Sequence, residues 1–302
     1  VRAIDLFAGW GGFTEGAEQA GARVVWAANH WPLAVEAHAI NHPHVEHSCQ
    51  DLRQADWTRL PAFDLLLASP ACQGHSTASQ PRRRRYHDEM RATAWAVIEC
   101  ADVCEPKAMI VENVVDLLRW RLYPTWREAL VRLGYHVDER IEVATDYGVP
   151  QRRRRLFVVA TKRAIGRLRP TRRAREPAFG PCIDETAGGW KLIRHASPGA
   201  AERMRAAQAR TGRRILVQHV TNHPGVPLHE PIRTITTKDH WVYVMGDAYR
   251  PLTIREYARA QGFSDGYAWP AKASRLATIR GLGGAVPPPM ARGIVGSLLE
   301  AA

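Results

Sequence analysis

Short apolar runs alternate with stretches of helical spacing along the first half of the chain. "RAIDLF" at 2–7 predicts a strand, and "TEGAEQAG" at 14–21 predicts a helix closing on Gly21. "ARVVWAA" predicts a second strand, and "PLAVEAHAINH" a helix with proline in its first turn. "FDLLLA" at 63–68, "KAMIVEN" at 107–113, "YHVDERIEVA" at 135–144 and "RRLFVVAT" at 154–161 predict further strands. Helices are expected over 88–104 and in "YPTWREALVRLG" at 123–134. This β-α-β-α rhythm predicts an α/β fold, a doubly wound and mostly parallel sheet over residues 1–163.

The rhythm then breaks. Residues 164–249 are rich in Arg, Pro, Gly and His, with one helical patch near 199–210 and a strand-like "HWVYVM". A second, smaller and irregular module is expected over 164–270. Order returns at "PLTIREYARAQGF", which opens on a capping box between Thr253 and Glu256. "PPPMARGIVGSLL" predicts a last helix within 271–302 that docks back on the first domain.

Composition adds a partner class. Of 302 residues 45% are hydrophobic, enough for a sizeable core, and no run approaches a membrane span. Lys and Arg number 42 against 30 Asp and Glu, a net charge of +12. Arginines gather at 82–85, 152–155 and 172–175, which suits a solvated surface or a polyanion partner such as nucleic acid, and three runs favour the second. Cysteines at 49, 72, 100, 104 and 182 form no regular framework, and no basic-then-apolar leader is visible; both suit a reducing cytoplasm.

Two places carry candidate chemistry. "DLFAGWGGF" turns the first strand into the first helix, where Gly9, Gly11 and Gly12 let the backbone bend and approach a ligand. The spacing is neither a dinucleotide fingerprint nor a phosphate loop, so an adenosine-like ligand and a structural turn weigh equally. Asn29 ends the second strand, where ribose-binding side chains sit, and Asp51 follows the third apolar segment, where it could accept from an adenine amine.

The second place is "SPACQGHS" at 69–76. Cys72 leaves the "FDLLLA" strand at the same sheet edge as the glycine loop; it is either an inert small hydrophobe or a nucleophile. Glu112 and Asn113 end the neighbouring strand, and a carboxylate there is partly desolvated and able to hold a proton. The arginines of "GVPQRRRRLF" would orient it. Thiol, acid and guanidinium at one edge make a more specific signal than any alone.

With these residues in view, the chain resembles the DNA cytosine-5 methyltransferases over nearly its whole length. "DLFAGWGGF", "SPACQG", "ENV", "QRRRR" through Gln151, Arg153 and Arg155, "RPLTIREYARAQGF" and "GGAVPPPMARGIV" match the family's motifs in order. The resemblance implies a Rossmann-like class I methyltransferase fold using S-adenosylmethionine. It implies that Cys72 attacks carbon 6 of a cytosine flipped out of duplex DNA, while Glu112 donates to ring nitrogen 3. Arg155 with Arg153 would bind the carbonyl oxygen and position the glutamate. Phe7, Trp10, Gly12, Asn29, Asp51, Pro70 and Val286 would line the cofactor pocket. Gln73, Arg82, Arg83, Arg84 and Arg85 on a closing loop, with Arg233 and Thr234 in the target-recognition region, would meet the DNA.

The resemblance further implies a bacterial or phage protein, acting as a monomer, either alone or with a cognate restriction endonuclease as a partner. Three departures stand out: Ala71 replaces the second proline of Pro-Pro-Cys and is expected to loosen the turn; Asn29 replaces an acid; Gly284 replaces an asparagine. A tRNA cytosine methyltransferase of the same fold, and a non-catalytic nucleic-acid-binding module, are the alternatives. Cys100 and Cys104, one helical turn apart, read as core, as do Trp241 and Tyr243 on one strand. Histidines 38, 42, 44 and 47 lack a metal pattern, so no metal is expected.

Overall fold

The structure, a computed structural model, describes residues 1–71, 93–166, 168–170, 175–218 and 223–301. Its main sheet is built from β1 (Arg2–Leu6), β2 (Arg23–Asn29), β3 (Glu46–Cys49), β4 (Leu65–Ala68), β5 (Ala108–Asn113), β6 (His136–Val143) and, after the short β7 (Gln151–Arg152), β8 (Arg154–Thr161). The order is β3-β2-β1-β4-β5-β8-β6. The first five strands run parallel, and β8 runs antiparallel between β5 and β6. The mostly parallel, doubly wound sheet expected from the apolar rhythm is therefore what forms.

From β1 the chain winds outward through β2 and β3, then returns to lay β4 on the other side of β1. The ends of β1 and β4 thus flank the point where winding reverses, the place where open sheets of this kind bind ligands. Alternate side chains serve opposite faces. Ile4, Leu6, Leu66 and Ala68 join one buried cluster; Ala3, Leu65 and Leu67 join another. β3, "EHSC", is no apolar segment but a half-exposed edge strand.

Helices α1 (Gly12–Gln19), α2 (Pro32–Asn41), α3 (Trp95–Cys104) and α4 (Tyr123–Arg132) cover the sheet. The helix expected over 88–104 starts at Trp95 within the described residues; 88–92 lie outside them. Cys100 is buried there, and the half-buried Cys104 thiol donates to the Trp57 carbonyl at 3.4 Å.

Residues 164–249, expected to be irregular, hold a second sheet. It comprises β9 (Lys191–Leu192), β10 (Arg214–Gln218), β11 (Val226–Pro227), β13 (Trp241–Met245) and β14 (Ala248–Pro251), antiparallel in the order β11-β10-β13-β14-β9. Strands of two to five residues are too short to show a period amid Arg, Pro and Gly. Helix α5 (Pro198–Thr211) seats Met204 and Ala207 on Ile215, Val217, Val242 and Val244. Trp241 and Tyr243 are buried, as expected, in a cluster that also takes in Trp10 and Ala37. β12 (Ile232–Arg233) pairs in parallel with β7, joining this region to the first.

The last three helices are α6 (Ile254–Gln261), α7 (Arg275–Gly284) and α8 (Pro288–Ala301). The capping box forms as expected: the Thr253 hydroxyl accepts from Glu256 N at 3.1 Å, and Glu256 Oε2 accepts from Thr253 N at 2.6 Å. Helix α8 docks on α1, where a Cβ on Gly16 would stand 2.3 Å from the Pro288 carbonyl oxygen and 2.4 Å from Ala291 Cβ. Among the described residues no helix is long and apolar enough to cross a membrane.

Gly281 and Gly284 make a contrast that tests the packing. A Cβ on Gly281 would fall 0.6 Å from Trp10 Nε1, whereas one on Gly284 meets nothing within 4 Å. Gly281→Ala should cost about 1–3 kcal/mol by forcing Trp10 to shift. Gly284→Ala should leave the urea midpoint unchanged or higher. Equal midpoints for the two variants would contradict this packing.

Candidate active site

Three strand ends meet the start of β8 at one edge. Beyond β4, Ser69 N–H donates to the Leu6 carbonyl at 3.0 Å, tying the exit of β4 to that of β1. In β5, Glu112 pairs with Phe157 and Asn113 with Leu156, so Arg155 lies just past the end of β5 on the antiparallel neighbour. Arg155 Nε stands 3.0 Å from Glu112 Oε1. Burial, the largest influence, pushes the Glu112 carboxyl above its usual range; Arg155, Arg153 and the Ser69 hydroxyl oppose this without cancelling it. A carboxyl so placed keeps its proton more readily than a solvated one and can donate it.

The segment after Ser69 is held from two sides. The Asn113 side-chain amide donates to the Pro70 carbonyl at 3.0 Å, and its oxygen accepts from Val114 N at 2.8 Å. Ala71 N–H donates to the Thr93 hydroxyl at 3.1 Å. The N–H that a proline would lack at position 71 is thus hydrogen-bonded, and the turn expected to loosen continues outside the described residues. Cys72, Gln73 and Arg82, Arg83, Arg84 and Arg85 lie outside the described residues.

Gln151 and Arg153 clamp later parts of the molecule. Gln151 Nε2 donates to the Ala260 carbonyl at 2.9 Å and to Gln261 Oε1 at 2.5 Å, and Gln151 Oε1 accepts from Ile235 N at 3.1 Å. Arg153, 1% exposed, donates to the carbonyls of Ile235, Gly283 and Ala285 at 3.0–3.1 Å. Arg155 thus pairs directly with the acid, while Arg153 binds main chain and acts on Glu112 through its charge. Arg233 is exposed on β12, and the Thr234 hydroxyl donates to the Arg152 carbonyl at 3.4 Å.

The other predicted pocket residues also gather near this edge, though several are engaged. Phe7 adopts φ 60 and Gly9 φ 56, a left-handed turn leading out of β1. Trp10 is buried edge-on to Trp31 and Trp269. A Cβ on Gly12 would stand 2.0 Å from the Val286 carbonyl oxygen, so the close approach Gly12 permits is to Val286 of the chain itself. Asn29 Oδ1 accepts from Trp31 N at 2.9 Å, opening α2. Asp51 accepts from Arg53, whose side chain holds the carboxyl below its usual range. Pro70 is buried.

Behind the glycine turn runs a buried polar chain. The Thr14 hydroxyl donates to Asp5 Oδ2 at 2.8 Å, His38 Nε2 lies 3.0 Å from that hydroxyl, and His38 Nδ1 lies 2.8 Å from His47 Nε2. With the Thr14 proton on Asp5, His38 donates through Nε2 and accepts from His47. Burial pushes Asp5 up to about 7 and His38 well below its usual value. Sequence reasoning passed over Asp5, Ser69, Thr93 and this histidine contact. Only Thr93 carried a signal, as a threonine ahead of the apolar helix "AWAVIEC".

The chain belongs to the C-5 cytosine-specific DNA methylase family, whose sequence profile matches residues 1–179 and 182–300. Among relatives, the type II methyltransferase M.AgeI of Thalassovita gelatinovora is 32% identical over 169 residues, 52% of this chain and 39% of that protein. DNA (cytosine-5)-methyltransferase 1 of Rattus norvegicus is 30% identical over 180 residues, 53% of this chain and 11% of that protein. The matched part is thus well under half the length of either relative. A putative DNA modification methyltransferase encoded within an E. coli prophage superposes over 100% of this chain and 99% of its own, with TM-score 0.75 at 19% identity. The Dnmt2 methyltransferase of S. pombe covers 99% of this chain and 98% of its own, with TM-score 0.73 at 17% identity. At such identities the likeness is one of fold, and it extends through the second sheet.

Asp5 gives this site a pH signature. Its pKa is raised on folding, so the stability it contributes is full below 3.8 and lost as pH rises through about 7. Urea midpoints of Asp5→Asn minus wild type should therefore climb between pH 4 and pH 7. A flat difference across that window would show that Asp5 is not the group responsible.

Proposed function

We propose that the chain transfers methyl groups to carbon 5 of cytosine in duplex DNA. The reading is carried by the Glu112–Arg155 pair at the end of β5, beside the Pro70–Ala71 peptide that leads directly into Cys72. The raised, nearly enclosed carboxyl suits donation to a ring nitrogen. The guanidinium beside it suits a carbonyl oxygen on the same ring.

The residues at the strand ends fit an adenosyl cofactor. Gly9 leaves open space towards its missing Cβ, where the nearest heavy atom is the Phe7 oxygen at 3.8 Å. Asn29 and Asp51 bring acceptors to the ends of β2 and β3, both partly exposed. Phe7, Gly9, Asn29, Asp51 and Pro70 would hold S-adenosylmethionine there. When bound, it would supply an electrophilic methyl group.

In this scheme the Cys72 sulfur bonds to carbon 6 of the flipped base while Glu112 protonates nitrogen 3, and Arg155 binds the carbonyl oxygen. Electron density so gathered makes carbon 5 a nucleophile. Loss of the carbon 5 proton to water after methylation restores the double bond and releases the Cys72 sulfur, and nitrogen 3 returns its proton to Glu112. Arg153 acts only as a positioning residue, holding the β7–β8 corner that carries Arg155. Residues 164–270, with Arg233 and Thr234 exposed or half-exposed, serve as the target-recognition region. The arginines at 82–85, with Gln73, contact the DNA.

Labelled methyl transfer to duplex DNA, run beside tRNA, tests the proposal. Cys72→Ser should abolish transfer, and Glu112→Gln should lower it about 10²–10⁴-fold. Transfer to tRNA alone would refute the DNA substrate, and full activity of Cys72→Ser would refute the covalent route.

A further inference from the structure

The Glu112 carboxyl has neighbours on two sides. On the β8 side stands Arg155, with Nε 3.0 Å from Oε1, and the charge of Arg153 acts from the same side. On the β4 side stands Ser69. Where β4 pairs in parallel with β5, Leu67 is level with Ile110 and Ala68 with Val111, so one step further Ser69 comes level with Glu112. Leu67, Ile110 and Phe157, the partner of Glu112 on β8, belong to one buried cluster. Side chains alternate along a strand, so Ser69, Glu112 and Arg155 emerge in a row on that same face. The Ser69 main chain is fixed there by its N–H bond to the Leu6 carbonyl at 3.0 Å. Its hydroxyl oxygen and Glu112 Oε1 are both sealed from water, and neither has a hydrogen bond of good geometry. The hydroxyl is nevertheless close enough to draw the Glu112 carboxyl downward against the push of burial. Catalytic hydrogen bonds are often loose before a substrate arrives and tighten with it.

We propose that Ser69 is a positioning residue for the acid: its hydroxyl donates to Glu112 Oε1, the oxygen that Arg155 also holds, so that the proton delivered to a cytosine ring leaves from Oε2. This rests on the methyltransferase reading above. In that step the O–H bond at Oε2 breaks, an N–H bond forms at the ring nitrogen, and the electron pair stays on the carboxylate. Ser69 keeps its own proton throughout. A hydrogen bond to an ionised acceptor is roughly twice as strong as one to a neutral acceptor. Ser69 therefore grips the carboxylate left behind more tightly than the acid that precedes it, and favours the transfer while holding the carboxyl plane between β4 and β8.

The test pairs single-turnover methyl transfer with a direct titration of the acid. Ser69→Ala should slow transfer about tenfold while leaving DNA and cofactor binding within about twofold, and Ser69→Thr, which keeps the hydroxyl, should recover most of the rate. Without the hydroxyl the Glu112 pKa rises, so the limb of the pH–rate profile that falls as Glu112 deprotonates should move to higher pH in Ser69→Ala. Equal rates in Ser69→Ala and wild type, a loss of rate with that limb unmoved, or a Ser69→Thr no better than Ser69→Ala would overturn the proposal. Carbon-13 titration of the Glu112 carboxyl, identified by its absence from Glu112→Gln, supplies a readout independent of activity. Its midpoint should rise in Ser69→Ala and return in Ser69→Thr; an unmoved midpoint in Ser69→Ala would overturn the proposal even in a protein that methylates nothing. A wild type that transfers no methyl group to DNA, yet whose Glu112 midpoint follows the Ser69 hydroxyl, would instead sink the functional reading and leave the Ser69–Glu112 pairing standing.

Discussion

A guanidinium sealed from water must find partners for its N–H groups or cost several kcal/mol. Arg153 meets that demand with main-chain oxygens from far along the sequence: Ile235 after β12, and Gly283 and Ala285 where α7 ends. Gln151, two residues earlier, adds Ala260, Gln261 and Ile235. Through these two side chains the β7–β8 corner becomes the place where three later segments are registered against the parallel sheet. Arg155 emerges from that corner, so the reach of its guanidinium to Glu112 depends on the same bonds.

Much of this architecture was visible in the residues. The parallel strands are bounded by helices with clear starts, such as Pro32, and by glycines with positive φ, such as Gly21 and Gly134. Burial on both faces makes β4 a continuous apolar run, which is why "FDLLLA" could be read without ambiguity. The Thr253–Glu256 box was legible because both partners lie within one helical turn.

What stayed hidden depends on contacts between distant parts of the chain. The second sheet is made of very short strands whose pairing, not their composition, defines them. Arg153 and Arg155 are two residues apart in the same charged run, and nothing local distinguishes the one that turns inward to three carbonyls from the one that meets an acid. Thr93 looks like a helix-capping residue, while its hydroxyl serves a peptide 22 positions earlier. Asp5 reads as part of a strand, and only burial beside Thr14 and His38 makes it titrate near neutrality.

The seat of α8 on α1 has a bearing on how the protein is made. Gly12 and Gly16, in α1, lie flush against Val286, Pro288 and Ala291. During synthesis the glycine turn after β1 therefore lacks its backing until Val286, Pro288 and Ala291 have followed it out of the ribosome. Until then the apolar flank of α1, with Phe13 and Ala17, stands uncovered. The nascent chain should thus be a client for chaperones, and the glycine turn should be among the last parts to mature.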